Sequence, residues 1–513
     1  MQMCKVTSYI LVCCLILIGF SFLAGCTQKE PAAGMVKTDA ASVKTEAGYV
    51  SGLQQDGLRV FTGIPFAAPP TGDLRWRPPA PVKPWDCVKE TTVYSPVCPQ
   101  PAAADPSLNM SEDCLYLNVW TPAHSADEKL PVMVFFYGGA FGKIAGEMPL
   151  YNGIALAQKG VVVVTTNYRV GALGFLAHPQ LDAESTHNSS GNYGLLDQVA
   201  AMQWVQRNIG QFGGNPSRVT IFGQSAGGES ILIHLISPQS KGLYQQAIVE
   251  SGTFWTTGAE IDALNTKADA KQLGEIYAQS LGYSGPGAIA QMRKLSSQEI
   301  ANATPWPAAP FQMVNSRHFE PTIDGWLIPD SPDTLFRLHR ENPIPLIIGN
   351  NADDGTTLAA DANITVPEYK IFIQNRFGKG ADAVLLKYPA NSTAEVQLRL
   401  EQIMTDVDFT DAAKFVAGSM ADLNTSTYRY QYSYVLPEQP YRAFHGSETM
   451  LLFKAPMPPN PVTDSVSDNL VDLWTRFAKT GDPNGGMNVT WPKYTREQGR
   501  YLDIGAVPSV KSG

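Results

Sequence analysis

Val219-Thr220-Ile221-Phe222-Gly223-Gln224-Ser225-Ala226-Gly227-Gly228-Glu229-Ser230 decides the reading of this chain. A β-branched and aromatic run predicts a buried strand, and a glycine-flanked serine then opens an apolar helical stretch. This is the G-x-S-x-G pattern, in which a strand turns so sharply into a helix that the serine hydroxyl stays exposed. The glycines keep side chains out of the crowded turn, and the helix N-terminus favours developing negative charge. The motif alone is weakly specific. Its strand-turn-helix context makes Ser225 the candidate nucleophile.

Working upstream, the segments 115–121, 130–136 and 161–166 read as strands, the last two buried on both faces. Tyr137-Gly138-Gly139-Ala140-Phe141-Gly142 follows the second of them directly. A loop of small residues at the C-terminal end of a buried strand exposes its backbone N–H groups to the crevice. Together with the N–H of Ala226, such groups can hold an oxyanion. Residues 196–209 carry Val199, Met202, Val205 and Ile209 on one helical face. Near the N-terminus, 43–54 and 58–61 predict an antiparallel hairpin, followed by a proline-fixed loop at 63–70 read as a rigid connection.

Downstream, 246–252, 345–350 and 428–435 read as further strands, and 468–479 as a closing amphipathic helix. Residues 256–342, helix-rich and punctuated by proline, are expected to wall a pocket above the sheet. The order of strands and helices indicates a mostly parallel sheet covered on both faces. A nucleophilic serine needs a base, and the base needs an orienting acid. Of seven histidines, only His445 follows a strand-end acidic loop that itself follows Ser225. That loop offers two acids, Asp353 and Asp354.

Several blocks now support a family resemblance. Glu112-Asp113-Cys114-Leu115-Tyr116-Leu117-Asn118-Val119 and 222–228 resemble the two signatures of the type-B carboxylesterase/cholinesterase family of α/β-hydrolases. Asn167-Tyr168-Arg169, Gly194-Leu195-Leu196-Asp197-Gln198 and Gly481-Asp482-Pro483-Asn484 match further family blocks in order. Within that family the chain is similar to para-nitrobenzyl-esterase-type members. The resemblance implies an α/β-hydrolase fold, no cofactor, no metal, and a small-molecule ester as substrate. It implies Ser225 as nucleophile, His445 as base then acid, and Asp354 as orienting carboxylate, because the family's acid precedes a glycine, here Gly355. That acid is usually Glu. Implied oxyanion donors are the amides of Gly139, Ala140 and Ala226, with Ala140 where many relatives have Gly. Ser251 and Glu448 match a buried network near the histidine, and Cys98 and Cys114 match the family's first disulfide, leaving Cys87 unpaired.

Two departures from the family matter. Gln224 stands where many members have Glu, and the 98–114 loop contains no Trp. Both features belong to a cation site, so their absence argues against a choline ester as substrate. Phe141, Phe254 and Trp255 are read as either pocket lining or plain core. A catalytically dead binding module of the same family, or a hydrolase of an amide, thioester or lactone, are the rival readings.

The ends of the chain and its composition add context. Lys5 precedes the apolar run 9–20, which ends in Leu23-Ala24-Gly25-Cys26. This is the layout of a signal peptide, and it resembles a bacterial lipobox that leaves Cys26 as a lipid-modified first residue. The expected organisation is a signal at 1–25, a flexible tether at 26–42 and one domain at 43–513, held by lipid at a membrane of the bacterial cell envelope. A net charge of −9 with scattered basic residues argues against nucleic acid as a partner. No C-x-x-C or His-x-x-x-His spacing suggests a metal site.

Overall fold

The computed structural model describes residues 42–101, 107–252, 264–304, 318–360 and 362–513. The segments read as a signal and a tether, up to residue 41 and including Cys26, lie outside them, as do Phe254 and Trp255. Among the described residues, no helix is long and apolar enough to cross a membrane.

The frame is one sheet of eleven strands. In chain order they are β1 Leu53–Gln55, β2 Leu58–Pro65, β3 Tyr116–Thr121, β4 Leu130–Phe136, β5 Val162–Thr166 and β6 Gly214–Gln224. Then follow β7 Gln246–Glu250, β8 Leu346–Asn351, β9 Thr427–Tyr432, β10 Arg500–Ile504 and β11 Ser509–Ser512. Their spatial order is β11-β10-β9-β8-β7-β6-β4-β5-β3-β2-β1. From β5 through β10 every neighbouring pair is parallel, whereas β1, β2, β3 and β11 join antiparallel at the two edges. This is the expected α/β-hydrolase arrangement.

The hydrophobic pattern explains which strands are central. In β5 all residues are buried, as are all but the first in β4, so side chains on both faces are covered. Helices supply that cover. Tyr193–Asn208 (α1) and Ala226–Ile236 (α2) flank β6, and Pro461–Thr480 (α3) packs on β4 and β6. The sequence of α3 shows why it forms there. Asn460 caps it by accepting the N–H groups of Val462 and Thr463, Pro461 opens it, and Gly481 ends it at φ 75°. Val466, Leu470, Val471, Trp474, Phe477 and Ala478 recur at helical spacing and are all buried. Between β8 and β9 the chain makes an excursion with its own core, in which Leu358, Tyr369, Ile373, Val396, Leu400 and Phe409 pack together.

Three expectations are corrected here. The N-terminal hairpin is two hairpins. Ser42–Lys44 pairs with Tyr49–Ser51 in a separate three-stranded sheet, while β1 and β2 turn through Asp56 and Gly57, both at positive φ, onto the main sheet. The break falls at Gly52, where a Cβ would lie 2.4 Å from the Val60 carbonyl oxygen. The strand read at 428–435 is β9, which ends at Tyr432, and β10 and β11, for which no strand was read, extend the sheet beyond it. Cys98 and Cys114 are joined as a disulfide, but Cys87 is disulfide-bonded as well.

Candidate active site

Ser225 sits at the junction of β6 and α2, at φ 58° and ψ −128°. A non-glycine residue there is strained, and its neighbours hold it. The Ser225 N–H donates to the Glu250 carbonyl at 2.9 Å, tying the turn to the end of β7. The glycines are a matter of clearance. A Cβ on Gly227 would come within 1.9 Å of the Phe136 carbonyl oxygen, and one on Gly223 within 2.6 Å of the same atom. A Cβ on Gly138 would lie 2.8 Å from the Ser225 Cβ. The end of β4 therefore presses against the turn, which the pattern of glycines alone makes possible.

The end of β8 leads to the two candidate acids. Asp354 lies three residues past Asn351 and is fully buried. Its Oδ2 accepts the Asn351 N–H at 2.7 Å and the Ser251 hydroxyl at 3.1 Å. Its Oδ1 accepts the His445 Nδ1–H at 2.7 Å. Asp353, the alternative, points elsewhere, to the Arg442 guanidinium at 3.3 Å and the Ala443 N–H at 3.2 Å. The loop after β9 brings in His445, and the Asn351 side-chain amide donates to the Phe444 carbonyl at 2.7 Å to pin it. The Phe409 ring covers the imidazole at 5.1 Å between centroids.

With Nδ1 carrying its proton toward Asp354, the His445 Nε2 presents a lone pair. That lone pair faces the Gln224 amide nitrogen at 3.1 Å. Ser225 itself makes no hydrogen bond to His445 in this structure; a catalytic bond of this kind commonly tightens only with substrate bound. Sequence reasoning treated Gln224 as a lost charge and missed that its amide would rest on His445. The signal was its place next to the nucleophile.

The loop after β4 is held open by three consecutive residues at positive φ: Gly139 at 96°, Ala140 at 50° and Phe141 at 57°. Tyr137 and Tyr168 brace it from beneath. Their rings stack at 4.1 Å, and each hydroxyl donates to the other's carbonyl at 2.8 Å. Among the described residues the amides of Gly139, Ala140 and Ala226 have no protein acceptor, which leaves them free for a ligand oxygen. Phe141 is core rather than open lining, packed edge-on against Phe175 at 5.2 Å. Behind this region the Arg169 guanidinium forks onto Asp197 at 2.8 and 2.7 Å, joining the end of β5 to α1. His234, by contrast, is buried structure. It is held by Gln198 and Ser240 at 2.8 Å each, and burial pushes its pKa down to about 3.

Beside Asp354 lie two more buried carboxyls, Glu448 and Glu250. Glu448 is reached by the Asn351 side-chain amide. Glu250 accepts the Trp474 indole N–H at 2.7 Å. Burial, then the neighbouring Asp354 for Glu448 and Glu448 for Glu250, raises both above the usual carboxylate range. Glu250 escaped the sequence reading. Its signal was a lone acid at the end of the otherwise apolar run Ala247-Ile248-Val249.

Comparison with known proteins gives consistent relatives. Residues 39–513 match the family model described as Carboxylesterase family. The chain is 35% identical to fumonisin B1 esterase of Sphingopyxis macrogoltabida, over 95% of this chain and 91% of that protein. It is also 35% identical to para-nitrobenzyl esterase of Bacillus subtilis, over 92% of this chain and 96% of that one. A solved structure of PNB esterase superposes with a TM-score of 0.82 at 32% identity, covering 92% of this chain and 97% of the other.

Proposed function

The chain belongs to the carboxylesterase family, and from that premise we propose that it is a serine esterase working through an acyl-enzyme at Ser225. The observation that carries this reading is the 2.7 Å bond from His445 Nδ1 to Asp354. It supports the tautomer whose Nε2 takes a proton from Ser225 once substrate is bound. Ser225 Oγ attacks the ester carbonyl as His445 Nε2 takes its proton, and the Gln224 amide gives up that lone pair. The amides of Gly139, Ala140 and Ala226 hold the oxyanion of the tetrahedral intermediate. His445 returns the proton to the departing alcohol. Water then attacks the acyl-Ser225 ester by the same route, releasing the acid and the free serine.

The substrate is a carboxylic ester of low molecular weight. Gln224 in place of Glu removes a charge that would favour a cationic alcohol. On the strength of Leu23-Ala24-Gly25-Cys26, the mature chain is proposed to begin at a lipid-bearing Cys26 and to lie at the bacterial cell envelope. Incorporation of labelled palmitate that disappears in Cys26→Ser tests this; labelling that survives the substitution refutes it.

The enzymatic test uses soluble protein starting after Cys26, assayed on 4-nitrophenyl esters of increasing acyl length beside Ser225→Ala. The expected loss in kcat is about a thousandfold or more. Folded protein that turns over no ester, or a Ser225→Ala variant as active as its parent, overturns the proposal.

A further inference from the structure

The inference concerns the buried carboxyls beside Asp354, and it rests on the acyl-enzyme reading above. Glu250 closes β7, and Glu448 lies in the short helix Ser447–Leu452. They are 0% and 1% exposed. Among the described residues no Lys, Arg or His forms an ion pair with either. Between them stands the Thr449 hydroxyl, 3.2 Å from Glu250 Oε2 and 3.3 Å from Glu448 Oε1.

Counting protons across that bridge leads to one arrangement. A threonine hydroxyl carries one hydrogen, so two carboxylates would have to share it in a weak three-centre contact. If one carboxyl brings a hydrogen of its own, each contact becomes a full hydrogen bond and two buried anions no longer face each other. A carboxylic acid at one end of the bridge is the better-satisfied arrangement. The remaining donors decide which. Glu448 receives the Asn351 amide and its own backbone N–H, and it lies near His445. Among the described residues Glu250 has the Trp474 indole besides the threonine, in a setting made by the buried rings of Tyr151, Tyr430 and Trp474. Ionisation is better supported at Glu448.

We propose that Glu250 is a carboxylic acid in the working enzyme, its proton donated to Thr449 Oγ1, which donates in turn to an ionised Glu448. Glu250 is thus the holder of a proton, and Glu448 a positioning residue. The titratable groups facing the pair are Asp354 from the β8 end, His445 from the β9 loop, Tyr430 and Tyr432 from β9, and Tyr151 from the segment after β4. Asn351 couples the pair to the catalytic acid, since its side chain reaches Glu448 while its backbone N–H binds Asp354. The imidazolium formed during reaction then faces two anions, Asp354 and Glu448, rather than three that would repel one another in a dry interior.

Infrared difference spectroscopy of the soluble protein tests the proton directly, whatever its activity. A carbonyl stretch of a protonated carboxyl, sensitive to D2O, is expected in the parent and absent in Glu250→Gln. Thr449→Val, which removes the bridging oxygen, is expected to move that band to higher frequency, and it keeps the test open if the first variant folds poorly. In the pH profile of kcat/KM, Glu448→Gln removes an anion near the imidazolium and moves the acid limb down by about half to one pH unit. Glu250→Gln, whose amide N–H replaces the acid O–H, leaves that limb in place. A protonated-carboxyl band unchanged in Glu250→Gln, or an acid limb that moves as far in Glu250→Gln as in Glu448→Gln, overturns the proposal.

Discussion

Gly227→Ala adds one methyl group at the point where the nucleophile turn meets the sheet. The built Cβ lies 1.9 Å from the Phe136 carbonyl oxygen, 2.6 Å from its carbon and 2.8 Å from the Tyr137 oxygen, all backbone atoms. Non-bonded carbon and oxygen tolerate no approach under about 3.0 Å, so α2 and the end of β4 must separate by about 1.1 Å. Such a shift moves Ser225 relative to the loop of Gly139 and Ala140, and a misplacement of about 1 Å is worth roughly a hundredfold in rate. Overpacking of about 1–3 kcal/mol outweighs the gain of about 1 kcal/mol that alanine brings to a helix. The expected outcome is a kcat/KM on 4-nitrophenyl esters lowered about a hundredfold, with a lower Tm. Gly210→Ala is the control, because nothing lies within 4 Å of its built Cβ. If Gly227→Ala retains kcat/KM within twofold and melts no lower than its parent, the close approach of β4 to the turn is not what confines this position to glycine.

Asp354→Asn will lower kcat by about 10⁴ by favouring the wrong imidazole tautomer, whereas Asp353→Asn, which loses contacts to Arg442 and Ala443, will stay within about tenfold; steady-state kinetics on one ester separates the two acids. Gln224→Glu sets a carboxylate where an amide now lies 3.1 Å from His445 Nε2. A carboxylate favours the imidazolium, so the base stays protonated to higher pH and the acid limb of kcat/KM moves up by about one unit, and an unmoved limb would show that Gln224 does not face the working base.

The parts of the fold that were legible in the sequence are those buried on both faces. The bounds 130–136 read from the sequence are those of β4, because the apolar run itself starts and stops there. β10 and β11 were not legible. Arg500-Tyr501-Leu502-Asp503-Ile504 is short, carries two charges and shows no clean alternation, and it becomes a strand by pairing with β9 and β11. The excursion between β8 and β9 includes a π-helical turn at Met404–Asp411, for which the residues carry no local signature. At the site, chain order singled out Ser225 and His445 but left two acids open. The choice of Asp354 came from likeness to a family and not from spacing. The contacts of Gln224 with His445 and of Thr449 with Glu250 join residues more than 190 positions apart, and no local pattern reports such neighbours.

The self-contained core between β8 and β9 gives this enzyme an unusual latitude. Leu358, Tyr369, Ile373, Val396, Leu400 and Phe409 satisfy one another, so that segment leans little on the sheet for its own packing. Asp354 lies before it and His445 follows β9, each anchored by Asn351 at the rim of the sheet. Insertions and deletions on the side of the module away from Phe409, whose ring covers His445, can accumulate over evolutionary time while Asp354 and His445 keep their register. A lineage could thus remodel what surrounds its reactive serine without rebuilding the machinery that activates it.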